Sequence, residues 1–199
     1  MAQKLLGNLE KGLCFVLSAP AGTGKTTLVR MLSQEFPGIV ESVSCTTRPM
    51  RPGEVEGKDY HFLSKQEFEE KIGQGDFLEY AEVFGYYYGT SRAYVLKQQE
   101  MGHHVFLVID TQGAMQLKKK QFPAYFVFVS PPSPEELRKR LLKRKTESIE
   151  VIEKRLSWAK AEIDMVSNYD YHIVNDNLNL AYAILRSIVI AEEHRVKHR

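Results

Sequence analysis

The stretch Leu13 to Phe36, LCFVLSAPAGTGKTTLVRMLSQEF, decides the fold. Leu13 to Leu17 is an apolar run of the length a buried parallel strand takes. Leu28, Leu32 and Phe36 then recur at helical spacing until Pro37-Gly38 stops the pattern. Between strand and helix lies Ser18-Ala19-Pro20-Ala21-Gly22-Thr23-Gly24-Lys25-Thr26-Thr27. Glycines there let the chain turn tightly and bring backbone N–H groups close to an anion. Lys25 is placed to reach the β- and γ-phosphates of a nucleotide and the Thr26 hydroxyl to meet magnesium, while the helix starting near Gly24 adds its positive dipole end. Gly24-Lys25-Thr26 alone is a weak sign, since roughly one chain in ten of this length carries such a tripeptide by accident. The strand before it and the helix after it make the reading specific. Ala19 stands where the motif usually has its first glycine; alanine tolerates most backbone geometries of negative φ, so the loop can still form.

Working outward, residues 103–109, 124–129 and 171–174 read as further buried strands, with helical patterns between and after them. Ser133 as N-cap, Pro134 at the first position and Glu136 closing a capping box mark one helix start. Ile149, Ile152, Leu156, Ala159, Ile163 and Val166 predict a long amphipathic helix, and Leu180, Ile184, Ile188 and Ala191 predict the apolar face of the last one. Strand–helix alternation of this kind predicts an α/β fold with a doubly wound, mainly parallel sheet. The stretch 42–97 breaks the alternation. Pro49, Pro52, a capping-box start at Ser64–Glu67 and the short aromatic strands DYHFL and FLEYAEVF mark a small inserted subdomain there.

A chain of 199 residues, 43% apolar and 26% charged, suits one α/β domain. A formal charge of +2 gives no argument for nucleic acid or a membrane surface. The two cysteines, Cys14 and Cys45, form no CxxC or Cys/His metal spacing, which points to a reducing cytoplasm and away from zinc. Asn8, Glu10 and Lys11 interrupt the N-terminal apolar residues as a signal-peptide core would not allow, and no run approaches the ~20 apolar residues of a membrane span.

Two further elements carry chemistry. Val105 to Ile109 delivers Asp110 at a strand's carboxyl end, where open α/β sheets bind ligands; Asp110 also suits the N-cap of the helix TQGAMQLKKK. Arg48 and Arg51, three apart and held by prolines, suit a phosphate dianion. In order behind the phosphate loop come SCTTRPMRPGEVEGKDYHF, FLEYAEVFGYYYGTS, VIDTQGA, PPSPEELRKRL and IVND. Together these motifs closely resemble the guanylate kinases, over nearly the whole chain from about Gly12 to Glu192.

The resemblance implies a P-loop NTPase-type core (1–41, 98–137 and 157–199), a GMP-binding insertion (42–97) and a helical lid (138–156) within the single domain 1–199. It implies Mg-dependent transfer of the γ-phosphoryl group of ATP to GMP, with dGMP a second acceptor to test; neither nucleic acid nor a membrane is expected, and the oligomeric state stays open. By matching motifs, ATP would meet Ala19, Pro20, Ala21, Gly22, Thr23, Gly24, Lys25, Thr26, Thr27, Arg140 and Asn175. Arg48, Arg51, Tyr60 and Tyr88 would hold the GMP phosphate; Ser44, Glu79 and Thr90 would contact guanine; Asp110 would serve GMP and, with Thr26, magnesium. Val108 stands where the family often has a first acidic residue. Lys25, Arg51, Arg144 and Arg155 match the catalytic cations.

The residue chemistry agrees with this. Guanine offers donors at N1 and N2 that one carboxylate can accept together, whereas adenine facing Glu79 would leave it unpaired, a penalty that can discriminate by about 10⁴. Phosphoryl transfer asks a protein mainly for positioning and charge, so lid arginines can matter greatly. Arg138, Lys139, Lys143, Lys118–Lys120 and the tail HRVKHR read as solvated, and His103, His104 and His172 as structural. Three rivals remain: a phosphate-loop kinase for another acceptor, which should lack Ser44, Glu79 and Thr90; a non-catalytic guanylate-kinase-like scaffold, which should have a degraded loop; and a GTP-hydrolysing switch, for which no NKxD-type motif appears.

Overall fold

The computed structural model describes residues 4–143 and 149–196. Its first half runs β1 (Cys14–Ser18), α1 (Lys25–Glu35), β2 (Ile39–Glu41), β3 (Cys45–Thr46), β4 (His61–Phe62), α2 (Lys65–Gln74), β5 (Phe77–Val83) and β6 (Tyr86–Ser91). There follow α3 (Arg92–Glu100), β7 (His104–Val108), α4 (Thr111–Lys119), β8 (Tyr125–Ser130), α5 (Pro134–Lys143), α6 (Ile149–Asp164), β9 (Tyr171–Val174) and α7 (Leu178–Glu193).

Five strands form the main sheet in the order β2-β7-β1-β8-β9, every neighbouring pair parallel. β1 lies at its centre, and strand alternation splits its side chains between two covered faces. Phe15 and Leu17 pack with Leu28, Val29 and Leu32 of α1 and with Ala181, Leu185 and Val189 of α7. Cys14 and Val16 pack on the other side with Val95 of α3 and Ala114 and Leu117 of α4. Each fully buried Leu or Phe contributes about 1.5–3 kcal/mol. The expected doubly wound sheet is therefore observed, and the segments after β1 and β7 leave adjacent strands at the same edge.

One stripe differs from expectation. On α7 the buried residues are Ala181, Leu185, Ile188, Val189, Glu192 and Glu193, whereas Leu180, Ile184 and Ala191 are exposed. The helix LNLAYAILRSIVIAEE is apolar around most of its circumference, so spacing fits two stripes one residue apart. Packing against α1, where Ala181 lets the helices approach, selects between them.

The second sheet, order β4-β3-β6-β5, lies within 45–91. Cys45, Phe68 and Phe77 form its core, and Phe68 of α2 stacks on Phe77 at 4.5 Å and on Tyr87 at 5.3 Å. α2 begins with the expected capping box, Ser64 and Glu67 satisfying each other's backbone N–H. Ser133 likewise accepts from Glu136 N–H at 3.2 Å, while the Glu136 carboxylate is committed to Arg140 Nε at 2.9 Å. α5 and α6 pack through Leu137, Leu141, Ile152 and Ala159.

α4 joins the two sheets. Gln116 Nε2 donates to the Tyr80 carbonyl at 2.6 Å and Lys120 Nζ to the Leu78 carbonyl at 2.7 Å, so side chains of α4 cover the edge of β5. Lys118 pairs with Asp170 at 3.8 Å and lies over the Phe126 ring. Lys119 and Lys120 are exposed as the run suggests, but Lys118 and Lys120 also make structural contacts. His104 is structural as expected: its Nδ1 accepts from Leu13 N–H at 3.0 Å and its Nε2 meets Glu193, whose other oxygen holds Asn8.

Candidate functional site

The loop after β1 is held from within and from behind. Thr23 turns back on Pro20, its hydroxyl donating to the Pro20 carbonyl at 2.7 Å. Gly24 then takes φ 100°, a left-handed conformation, and caps α1. A Cβ on Gly24 would lie 2.8 Å from Asn175 Nδ2, which donates to the Thr23 carbonyl at 2.7 Å. Arg140 donates to the Asn175 carbonyl at 2.9 Å, so Arg140 and Asn175 stand together directly against the loop. Ala19 is buried and outside the left-handed region, which explains why it can replace glycine. Lys25 Nζ donates to the Ala19 carbonyl, and Thr26 and Thr27 are exposed at the start of α1.

Asp110 leaves β7 beside this loop and caps α4, accepting from Gly113 N–H at 2.8 Å. Burial pushes its carboxyl up, opposed by that N–H and by the Lys25 ammonium. Glu162, on α6, is raised by burial, lowered by Lys25 and Arg155 and raised by Asp110. Lys25, Asp110, Arg155 and Glu162 therefore share one electrostatic neighbourhood. Glu162 was missed in the sequence because it reads as one polar residue of an amphipathic helix; its signal is the seven-residue spacing from Arg155, which returns it to the same helix face.

The small sheet supplies a second set of groups. Across β5 and β6 the register shifts between Phe77 and Glu79, a bulge that sets Glu79 directly opposite Thr90. Glu79 is 3% exposed, and Thr90 donates to its Oε1 at 2.5 Å. Burial is the main reason that its pKa rises from 4.5 to about 7, with the Thr90 hydroxyl opposing and the Asp110 charge reinforcing. Gly113 makes this arrangement possible, since a Cβ there would lie 2.1 Å from Glu79 Oε2. Gly113 was not singled out in the sequence; only the close approach of α4 to β5 reveals it. Ser44 is half-buried just before β3.

Arg48 is buried, with its guanidinium 5.3 Å from the Tyr60 ring centroid, and Tyr60 meets Tyr88 edge-on at 5.9 Å. Burial opposes the charge on Arg48, but Glu54 and Tyr88 hold its pKa up. Glu54 accepts from Arg48 Nη2 at 2.7 Å and from Arg51 N–H at 2.8 Å, so one carboxylate fastens the arginine loop. The motif alone does not distinguish Glu54 from its neighbours, and its clamp is visible only in three dimensions. The Arg51 residue itself is exposed. Arg155 lies with its guanidinium 5.6 Å from the Phe84 ring centroid at the tip of the β5–β6 hairpin. Arg144 lies outside the described residues. The remaining expected site residues fall into two groups, one around the loop and one around Glu79, and Asp110 borders both.

Comparison with known proteins shows which family the chain and its fold resemble. The family model for guanylate kinase matches residues 11–192. A guanylate kinase from Protochlamydia amoebophila is 55% identical over 97% of this chain and 98% of its own. One from Chlamydia trachomatis serovar D is 50% identical over 92% of this chain and 90% of its own. Among solved structures, a guanylate kinase from Anaplasma phagocytophilum superposes with a TM-score of 0.77 at 35% identity, covering 97% of this chain and 91% of that one.

Proposed function

Because the chain belongs to the guanylate kinase family and is a nucleoside monophosphate kinase, we propose that it sets ATP in the 19–27 loop and GMP against Glu79, with cations between them. The observation that carries this reading is Glu79 itself: a carboxylate 3% exposed, held by Thr90 and bordered by Gly113. A buried acceptor of this kind needs donors, and guanine N1–H and N2–H supply two on one edge. Ser44 and Thr90 line the same base.

Arg48, Arg51, Tyr60 and Tyr88 receive the GMP phosphate, with Glu54 fastening the arginine loop behind them. An oxygen of that phosphate, already anionic, attacks the γ-phosphorus of ATP. The new P–O bond forms as the bond to the β–γ bridging oxygen breaks, leaving GDP and ADP with no proton required from the protein. Lys25, Arg51, Arg155 and Arg144 balance the charge on the transferred group, while the loop amides hold the leaving ADP. Arg140 and Asn175 brace the loop and border the adenine side.

Magnesium would be held by the Thr26 hydroxyl and, through water, the Asp110 carboxyl, and bound with ATP it would supply positive charge to the phosphates. Among the described residues no three His, Cys, Asp or Glu side chains form a metal cage. A magnesium ion carried mainly by phosphates and water needs none. Cys14 and Cys45 are both buried free thiols, which supports a reducing cytoplasm as the protein's location. No helix among the described residues is long and apolar enough to cross a membrane.

The test is ADP formation from ATP with GMP or AMP as acceptor, in the native protein and in Glu79→Gln. The expected outcome is a strong preference for GMP that falls by about 100-fold in the variant. Unchanged selectivity in Glu79→Gln would remove the carboxylate from guanine recognition.

A further inference from the structure

Val83 pairs with Tyr86, leaving Phe84-Gly85 as a two-residue hairpin loop, and both take positive φ, 54° and 81°. Loops of this geometry favour Asn, Asp or Gly at the first position, because a larger side chain is strained there. A phenylalanine in that place, 43% exposed, needs a compensating contact. The contact is Trp158 of α6, whose ring stacks on Phe84 at 4.3 Å and 7°. Trp158 is itself 40% exposed and is the chain's sole tryptophan. The Arg155 guanidinium lies 5.6 Å from the same Phe84 ring, and Arg155, Trp158 and Glu162 follow at three-and-four spacing on one face of α6.

We infer that Phe84 and Trp158 are positioning residues that hold Arg155 toward the reacting phosphates, clamping the tip of the small sheet to α6. The hairpin and α6 are far apart in sequence, and this stack joins them. Two rings sharing one face of contact restrict α6 about its axis, and the ring face attracts the guanidinium that the stack leaves beside it. Glu162, one turn further along α6, lies within electrostatic reach of both Lys25 and Arg155, which puts the same helix face near the phosphate loop. The inference rests on the proposed role of Arg155 in transfer.

The test uses Phe84→Asn, which removes the ring while giving the turn a residue it favours, so that folding is preserved. Trp158→Ala, the double variant and Arg155→Ala complete the set. Phe84→Asn and Trp158→Ala should each lower kcat by about 3- to 10-fold while KM for GMP and ATP stays within about twofold. The double variant should be no slower than the worse single one, because both remove one contact. Phe84→Tyr should restore kcat, and in Phe84→Asn the emission of Trp158 should shift to the red. Native kcat in both single variants, or losses that multiply in the double variant, would overturn the clamp while a slow Arg155→Ala leaves the underlying reading standing. A fast Arg155→Ala would instead overturn the role of Arg155, and the clamp with it.

Discussion

The phosphate loop and the guanine pocket solve opposite problems. In the proposed reading the loop binds a charged tail common to every nucleotide, and what it offers is contiguous backbone: Gly24 at φ 100°, the Thr23 turn and the start of α1. In the same reading the pocket tells one base from another, and what it offers is a side chain that is costly to bury. Glu79 is brought in by a bulge, answered by Thr90 and approached by α4 only because residue 113 has no Cβ. Generic binding rests on backbone and is local in sequence; selective binding rests on desolvated side chains gathered from several elements.

That contrast can be broken first on the loop side. Lys25→Ala should lower kcat by about 10³-fold, since a charge at the transferred group is lost, while GMP binding measured without ATP changes little. A comparable loss of GMP affinity would show that the two regions are not separable. Next in size is the collapse of base selectivity in Glu79→Gln, which should leave ATP affinity unchanged. Gly113→Ala should be smaller: its new Cβ, 2.1 Å from Glu79 Oε2 in the present backbone, forces a shift of β5 against α4. An increase of about tenfold in KM for GMP with a native KM for ATP is expected. Equal increases for both substrates would locate the strain in the main sheet and not in the pocket.

The same contrast explains what could be read before the fold was known. The strand, glycines and helix around Lys25 are consecutive, so periodicity and turn chemistry sufficed for the main sheet. Motif resemblance reached Glu79, Thr90 and the arginine loop. It did not reach Gly113, Glu54 or Glu162, because what each does depends on a neighbour far away in sequence or on another element. Lys118 and Lys120 add a detail that a charge run does not reveal: though solvent reaches both, one cation pairs with Asp170 and the other bonds the Leu78 carbonyl at the β5 edge. The α7 stripe failed for a simpler reason, since nearly continuous apolar sequence does not say which face meets α1.

The raised pKa of Glu79 also has a direction. Lying above its ordinary value of 4.5, near 7, it favours the folded protein below about pH 4.5 and loses that contribution as pH rises through 7. If guanine binds Glu79 as proposed, GMP should reverse the preference, because guanine donors require the ionised carboxylate. The most direct measurement is therefore GMP affinity by calorimetry from pH 8 to pH 6, compared between the native protein and Glu79→Gln so that titration of the GMP phosphate cancels. The account predicts that native affinity falls relative to the variant by up to about tenfold per pH unit below 7, with uptake of GMP releasing a proton from Glu79. Parallel pH profiles in the two proteins would contradict it.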